Sequence, residues 1–197
     1  MIENAIFIDG IGLNLKTSSI NKLVSDNKHI LSIPSDSSFF MNHGDYPYDD
    51  CKLRGYTRGQ QIYVLSRSNS VIDNVIFDRG CVNHAAWLYV YGKEDEAYRL
   101  LDDFITFQSF PNNSRAILVV NESTSMVSEM LSKESVDSPR LKEFVDVNTY
   151  MNMQDRYVSF YYKNLDQLGN FVTHTIKGNN IETEVNNLKK TIEKYVI

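Results

Sequence analysis

The sequence predicts an α/β fold, with a parallel sheet covered by helices on both faces. Short apolar segments, which are predicted strands, alternate along the chain with amphipathic segments, which are predicted helices. Several apolar segments also end at a glycine, an acid or another polar residue. Alternation of strands and helices is typical of parallel strands joined by helical crossovers, which bury both faces of the sheet.

Five short apolar segments are predicted strands, and their length and apolar composition favour burial inside a sheet. They are residues 5–8 (AIFI), 29–33 (HILSI), 74–78 (NVIFD), 116–120 (AILVV) and 170–176 (NFVTHTI). The second segment is closed by Pro34, which cannot donate a hydrogen bond to a neighbouring strand. The sequence does not give the order of these strands in the sheet.

Seven segments are predicted helices, most of them from apolar residues recurring at helical spacing. They are residues 17–26, 56–69, 83–90, 94–107, 124–132, 140–164 and 181–195. Residues 35–55 are polar and aromatic, and they are predicted to be irregular with room for a short helix. In such a sheet ligands bind at the carboxyl ends of the strands, so those ends are where we look for chemistry.

Length and composition indicate one domain, residues 1–197, with an ordinary core. The formal net charge of −5 disfavours a dedicated nucleic-acid-binding protein. Cys51 and Cys81 do not form a Cys-x-x-Cys pair, and the four histidines lack metal-ligand spacing, so we expect reduced thiols and no structural zinc. Neither a signal peptide nor a long apolar segment is recognisable, which predicts a cytoplasmic protein without membrane contact.

The first predicted strand leads into a degenerate phosphate-binding loop, residues 10–17 (GIGLNLKT). The standard pattern is G-x-x-x-x-G-K-[ST], and only its second glycine is replaced, by Leu15. Backbone N–H groups of such a loop, together with a helix N-terminus, bind phosphate. A branched side chain resists the backbone angles required there, and Gly12 and Asn14 are expected to absorb the turn. The alternative is a plain strand–turn–helix with an incidental lysine.

The third predicted strand ends in Asp78 and Arg79. A carboxylate at this position can hold Mg²⁺ or orient an attacking oxygen, and an arginine can grip a phosphate with two parallel hydrogen bonds. The alternative is a local ion pair in the turn after the strand.

The order and spacing of these segments resemble the thymidylate kinase and deoxynucleoside kinase group of P-loop kinases. The resemblance is carried by FIDG and LKTSSINKL, then YVLSRSNSVID and NVIFDRG, then AILVVNESTSMVSEMLSKE, and finally FVTHTIKGNNIETEVNNLKKTIEKYV. It covers nearly the whole chain. It implies a three-layer P-loop kinase fold with a parallel sheet of about five strands and a short lid near residues 132–141, and it implies that ATP and Mg²⁺ are used.

The resemblance also implies roles for individual residues. Lys16, Asp78, Arg79 and the lid residue Arg140 are the expected catalytic residues, and Thr17 and Asp78 are the expected metal ligands. The residues expected to bind ATP are Gly10, Ile11, Gly12, Leu13, Asn14, Leu15, Lys16, Thr17 and Ser18. Arg140 follows Pro139, so it can equally be the first residue of a helix.

The residues expected to contact the acceptor are Asp9, Phe39, Gln60, Tyr63, Arg67 and Arg79. Arginines suit a phosphate, a glutamine suits the edge of a base, and an aromatic ring suits stacking on a base. Arg67 can equally be a surface residue, and Phe39 a core residue beside Phe40.

The expected reaction is ATP- and Mg²⁺-dependent phosphorylation of a deoxynucleoside monophosphate. Two alternatives stay open: a deoxynucleoside kinase, and a nucleotide-binding module impaired in catalysis because of Leu15. The aromatic-rich segment 150–162 (YMNMQDRYVSFYY) is interpreted as core or as a subunit contact. A homodimer is expected by resemblance, and no nucleic-acid partner is expected.

Overall fold

The structure is a computed structural model that describes residues 2–27, 29–35, 48–67, 72–107, 115–134, 144–169 and 171–196. Within these residues, five parallel strands form one sheet with the order β2-β3-β1-β4-β5. The strands are β1 (Ile2–Asp9), β2 (Ile30–Ile33), β3 (Ile72–Asp78), β4 (Arg115–Asn121) and β5 (Phe171–Ile176). The predicted parallel sheet is therefore confirmed.

The register of the sheet brings the end of β3 beside the end of β1. Ile8 is the partner of Asp78 on one side of β1, and Asp9 is the partner of Leu118 on the other. Because all strands run in the same direction, their carboxyl ends meet at one edge of the sheet. The loop that follows β1 therefore begins next to the acid that ends β3.

Eight helices accompany the sheet in the described part of the chain. They are α1 (Lys16–Asp26), α2 (Tyr48–Ser66), α3 (Cys81–Val90), α4 (Glu94–Phe107), α5 (Thr124–Ser132), α6 (Val147–Lys163), α7 (Leu165–Leu168) and α8 (Ile181–Glu193). None of them has both the length and the apolar character that a membrane span requires.

Alternation along β1 divides the interior into two hydrophobic cores. Ala5 and Phe7 belong to a core shared with α2, α3, α4 and α6, whereas Ile6 and Ile8 belong to a core shared with α1 and α8. Successive side chains of a strand point to opposite faces, so each strand of a buried parallel sheet contributes to both cores. The helices thus cover both faces, as the sequence predicts.

Two helix boundaries differ clearly from the prediction. Helix α2 begins at Tyr48 rather than at residue 56, so most of the predicted irregular region that the structure describes is helical. Helix α6 begins at Val147 rather than at residue 140, because Asp146 caps it by accepting a hydrogen bond from the Thr149 N–H at 2.8 Å. Residues 140–143 lie outside the described residues, and the short helix α7 was not predicted.

Candidate active site

The loop between β1 and α1 places two leucines in the left-handed conformation. The φ angles are 141° at Gly10, 56° at Leu13 and 57° at Leu15. The expectation that Gly12 and Asn14 absorb the turn is therefore wrong, since neither residue has a positive φ. A left-handed conformation costs a residue other than glycine about 1–2 kcal/mol, so the loop needs compensating interactions.

Burial of the two leucine side chains supplies part of that compensation. Leu13 is 5% exposed and packs in the core with α3, α4 and α6, whereas Leu15 is 7% exposed and packs in the core with α1 and α8. Burying a leucine side chain stabilises a protein by about 1.5–3 kcal/mol, which exceeds the cost of the strained φ. The two leucines thus fasten the loop to both sides of the sheet.

The two glycines of the loop are needed for close approach. A Cβ atom at Gly10 would lie 2.6 Å from the Val119 carbonyl oxygen, and a Cβ atom at Gly12 would lie 2.7 Å from the ring of Phe144. Both distances are shorter than real Cβ contacts, so any other residue would displace its neighbour. Gly10 and Gly12 therefore allow the loop to lie against β4 and Phe144.

Lys16 lies inside the loop. Its side chain is 5% exposed, and its Nζ atom donates to the carbonyl oxygens of Gly10 at 2.8 Å and Ile11 at 2.6 Å. Lys16 is also the first residue of α1, and the first N–H groups of a helix have no partner within the helix and lie at the positive end of its dipole. The ammonium group and the helix N-terminus together favour an anion at this end of the sheet.

Thr17, which follows Lys16, is hydrogen-bonded to Asp78. The Thr17 hydroxyl donates to Asp78 Oδ2 at 2.5 Å. Asp78 is 2% exposed, and its Oδ1 atom is buried without a hydrogen-bond partner among the described residues. A buried carboxylate oxygen without a donor fits a hard cation such as Mg²⁺, which keeps several waters and often takes only one carboxylate from the protein. No group of three or more acids, histidines or cysteines in the described ranges has the arrangement of a metal site.

Asp9 is held by two donors from neighbouring elements. Its Oδ1 atom accepts from the Gly80 N–H at 2.6 Å, and its Oδ2 atom accepts from the Tyr161 hydroxyl at 2.9 Å. The side chain is 1% exposed, and this burial raises the pKa of the Asp9 carboxyl above its ordinary value. Asp9 therefore links β1 to the start of α3, and its predicted contact with the acceptor stays a prediction.

Arg79 follows Asp78 in a left-handed conformation with a φ of 75°, and its backbone N–H donates to the Ile8 carbonyl oxygen at 3.0 Å. Its side chain is partly buried and makes no ion pair with the residues that the structure describes. The local ion pair between Asp78 and Arg79, which was the alternative interpretation, is therefore not present in this structure. Left-handed residues other than glycine concentrate at functional sites, where the surrounding structure holds the strain.

Arg58, on α2, is a site residue that the sequence analysis missed. It is 1% exposed, and its guanidinium donates to the carbonyl oxygens of Pro34 at 2.9 Å and Asp78 at 3.2 Å. It thereby joins the carboxyl ends of β2 and β3. Its spacing in the sequence was the indication, because it lies on the same helical face as Gly55, Gly59 and Ile62, all of which are buried.

The other predicted acceptor residues that the structure describes, Gln60, Tyr63 and Arg67, lie at exposed positions on α2 or directly after it. Arg67 is exposed, and its guanidinium lies over the exposed ring of Tyr63 at 5.3 Å. It is nine residues beyond Arg58, about 13 Å farther along the helix, which disfavours contact with the same group. Gln60 is exposed. Phe39 and the lid residue Arg140 lie outside the described residues.

Helix α6 also contributes residues that the sequence analysis did not assign to the site. Tyr150, Gln154, Tyr157 and Tyr161 are all buried, and each reaches the loop or the end of a neighbouring strand. Their spacing of four, three and four residues is the signal in the sequence, because it places polar groups on one helical face.

A cavity of about 330 Å³ lies beside Asp9, between the sheet and helices α3, α4 and α7. Its walls include Phe7, Ala116 and Phe171, which are neighbours in the sheet near the amino ends of β4 and β5. The cavity therefore extends from Asp9 and Gly80, at the carboxyl ends of β1 and β3, to the amino ends of β4 and β5.

The strand order, the loop with an internal lysine and the covered sheet define the fold of the P-loop kinases, and comparison with solved structures supports this. A deoxyadenosine kinase from M. mycoides with bound products superposes with a TM-score of 0.60 at 12% identity, covering 98% of this chain and 100% of that one. A thymidylate kinase from Candida albicans gives a TM-score of 0.61 at 12% identity, with coverage of 98% and 91%.

A polyphosphate kinase 2 from Arthrobacter aurescens gives a TM-score of 0.59 at 13% identity, covering 98% of this chain and 67% of that one. No family model matches the chain, and no curated protein sequence matches it either. At these identities the likeness establishes the fold. The roles of individual residues rest on the geometry described above.

The left-handed conformation of Leu15 predicts an unusual order of mutant stabilities. Both Leu15→Ala and Leu15→Gly lose the buried side chain, but only glycine relieves the strained φ. Leu15→Ala should therefore be the less stable variant by about 1 kcal/mol in urea unfolding. At Leu23, a buried residue inside α1, the order should be reversed, because glycine costs about 1 kcal/mol more than alanine within a helix. The same order at both positions would contradict the left-handed loop.

The burial of Asp9 predicts a pH dependence of stability. In the folded state the pKa of Asp9 lies above the unfolded value of about 3.9. Its contribution to the free energy of unfolding is therefore fully present below about pH 4 and is lost as the pH rises through the folded pKa. Asp9→Asn keeps an acceptor for Gly80 and does not titrate. Urea titrations should therefore show that Asp9→Asn becomes more stable relative to the unsubstituted protein as the pH rises from 4 to 8. A difference that is constant over this range would exclude a raised pKa.

Proposed function

We propose that this protein is an ATP- and Mg²⁺-dependent kinase that phosphorylates a deoxynucleoside monophosphate. The observation that carries the proposal is the arrangement at the start of α1. There Lys16 lies inside the loop, and Thr17 contacts an acid whose second oxygen has no hydrogen-bond partner among the described residues. This combination of groups suits the binding of a polyphosphate together with a divalent cation.

The residues of this chain would act mainly by position and charge. Backbone N–H groups of residues 10–18 and the N-terminus of α1 would bind the donor phosphates, and the Lys16 ammonium would neutralise charge on the transferred group. Thr17 and Asp78 would hold Mg²⁺, which supplies charge stabilisation between the donor phosphates when bound. Phosphoryl transfer requires little covalent help from the protein, so positioning the substrates and neutralising charge can account for catalysis.

The acceptor would lie beside Arg79, because the guanidinium of this residue makes no ion pair among the described residues and can bind an anion. This favours an acceptor that already carries a phosphate. The family resemblance alone supports five further acceptor contacts, which are Asp9, Phe39, Gln60, Tyr63 and Arg67. The exposed positions of Tyr63 and Arg67 near the end of α2 make these two the weaker candidates. Arg140 is likewise proposed as the lid residue.

A deoxynucleoside acceptor is the second candidate, and one observation favours it. Arg58 donates to two backbone carbonyls and is almost fully buried, so it does not provide a second guanidinium for a monophosphate. Of Arg58, Arg67 and Arg79, only Arg79 would then be placed to bind an acceptor phosphate at the strand ends. The neighbour from M. mycoides, a deoxyadenosine kinase, matches 98% of this chain over its own full length.

The alternative of a module impaired in catalysis was raised by Leu15. The loop accommodates Leu15 by burying it, so this leucine alone does not argue for loss of activity. Homodimer formation and a cytoplasmic location stay predictions.

The test is a steady-state assay with ATP, Mg²⁺ and a panel of deoxynucleosides and their monophosphates. Lys16→Ala and Asp78→Asn should each lower turnover by about two orders of magnitude or more, because the first removes a positive charge beside the transferred group and the second weakens the proposed Mg²⁺ site. Lys190→Ala on α8 and Asp73→Ala at the start of β3 are matched controls, since both residues are exposed, and they should leave turnover unchanged.

Phosphorylation of monophosphates but not of nucleosides would support the proposal, and the reverse would support the second candidate. Absence of turnover with every acceptor, while ATP still binds, would contradict both and support the impaired module.

A further inference from the structure

Helix α6 turns one row of polar side chains toward the phosphate loop. Tyr150, Gln154, Tyr157 and Tyr161 lie on one helical face, and each is at most 2% exposed. Hydroxyl and amide groups at such burial are costly unless they are hydrogen-bonded, so their partners show what this face does. Three of the four residues act on the loop, directly or through β4, and Tyr161 binds Asp9 at the end of β1.

Two tyrosine hydroxyls contact the loop directly, at Gly10 and at Gly12 and Asn14. The Tyr157 hydroxyl accepts from the Gly10 N–H at 3.3 Å and donates to Asn83 Oδ1 at 2.8 Å. The Tyr150 hydroxyl donates to Asn14 Oδ1 and lies 3.1 Å from the Gly12 carbonyl oxygen. Because burial raises the pKa of both tyrosines, the hydroxyls keep their protons at any working pH.

The middle of the loop is held through β4. The Gln154 side chain accepts from the Asn121 N–H at 2.7 Å and donates to the Asn121 carbonyl oxygen at 2.9 Å. Asn121 in turn donates from its side chain to the carbonyl oxygen of the left-handed Leu13 at 3.3 Å. Asn14 also donates to the Val119 carbonyl oxygen at 2.6 Å, so β4 holds the loop at a second point.

We propose that this face of α6 positions the phosphate loop, with Tyr150 and Tyr157 fixing by side-chain hydrogen bonds the loop residues that precede the left-handed Leu15. A glycine adopts the left-handed conformation without strain, whereas a leucine must be kept there by its surroundings. Tyr150 and Tyr157 are positioning residues, since they touch the loop and not the phosphates. The effect on nucleotide affinity rests on the proposed function, whereas the effect on the loop does not.

The experiment compares Tyr150→Phe and Tyr157→Phe with Tyr162→Phe. Tyr162 lies on the same helix, but it is exposed and its hydroxyl contacts Thr173, so its variant removes a hydroxyl without touching the loop. Each substitution keeps the ring and the packing of the side chain. The first measurement is amide hydrogen exchange of the loop peptide, residues 10–16, in the protein without nucleotide.

Exchange of the loop should be about tenfold faster in Tyr150→Phe and Tyr157→Phe than in the unsubstituted protein, because a buried hydrogen bond is lost. Exchange in α8, on the other side of the sheet, should be unchanged, and Tyr162→Phe should match the unsubstituted protein throughout. Loop exchange unchanged in both variants, or raised equally in α8, would overturn the proposal, since it would show either no role or a general loss of stability.

The second measurement is the dissociation constant of ATP with Mg²⁺, with tripolyphosphate as a probe of the loop alone. Both ligands should bind about tenfold more weakly to Tyr157→Phe and with unchanged affinity to Tyr162→Phe. If the unsubstituted protein binds neither ligand but loop exchange changes as expected, the proposed function fails and the positioning role stands. If ATP binds equally to all variants and loop exchange is unchanged, the positioning role fails and the proposed function stands.

Discussion

The structure of the candidate site depends on two leucines that are held in a left-handed conformation by burial. Leu13 packs in one core and Leu15 in the other, so the loop between them is fixed to both faces of the sheet. The burial of each side chain, worth about 1.5–3 kcal/mol, outweighs a conformational cost of about 1–2 kcal/mol. Consequently the loop has a defined backbone conformation although it lacks the usual glycine.

The other features of the site follow from where this loop lies. It starts at β1, the central strand of the sheet, and β3 and β4 pair with β1 on either side. Asp78 at the end of β3 therefore faces Thr17, while Val119 and Asn121 of β4 accept from or donate to the loop. Lys16 closes the loop from inside. A parallel sheet thus assembles groups from three strands at one edge, and the chemistry proposed for the protein depends on that convergence.

Sequence patterns were sufficient to predict the order of the strands and helices along the chain. They also predicted that the loop lies near Asp78, because the carboxyl ends of parallel strands must share an edge. They were insufficient for α2, whose start at Tyr48 could not be recognised in a polar and aromatic segment. The sequence analysis named Arg67 and did not name Arg58, the arginine that contacts the strand ends. The tyrosines of α6 were interpreted as core or as a subunit contact, because the spacing of aromatic residues is the same whether their rings pack in a core or their hydroxyls bind a loop. Likewise, periodicity does not reveal that a leucine is left-handed.

The central claim is that this loop of residues 10–17 is a phosphate-binding site built with leucines where a glycine is usual. A crystal structure with ADP and Mg²⁺ tests it most directly. We predict that the diphosphate lies within the loop, that Lys16 Nζ contacts a β-phosphate oxygen, and that Leu13 and Leu15 keep positive φ angles close to 56° and 57°. A diphosphate bound elsewhere, or a loop in which the leucines leave the two cores and become extended, would contradict the account.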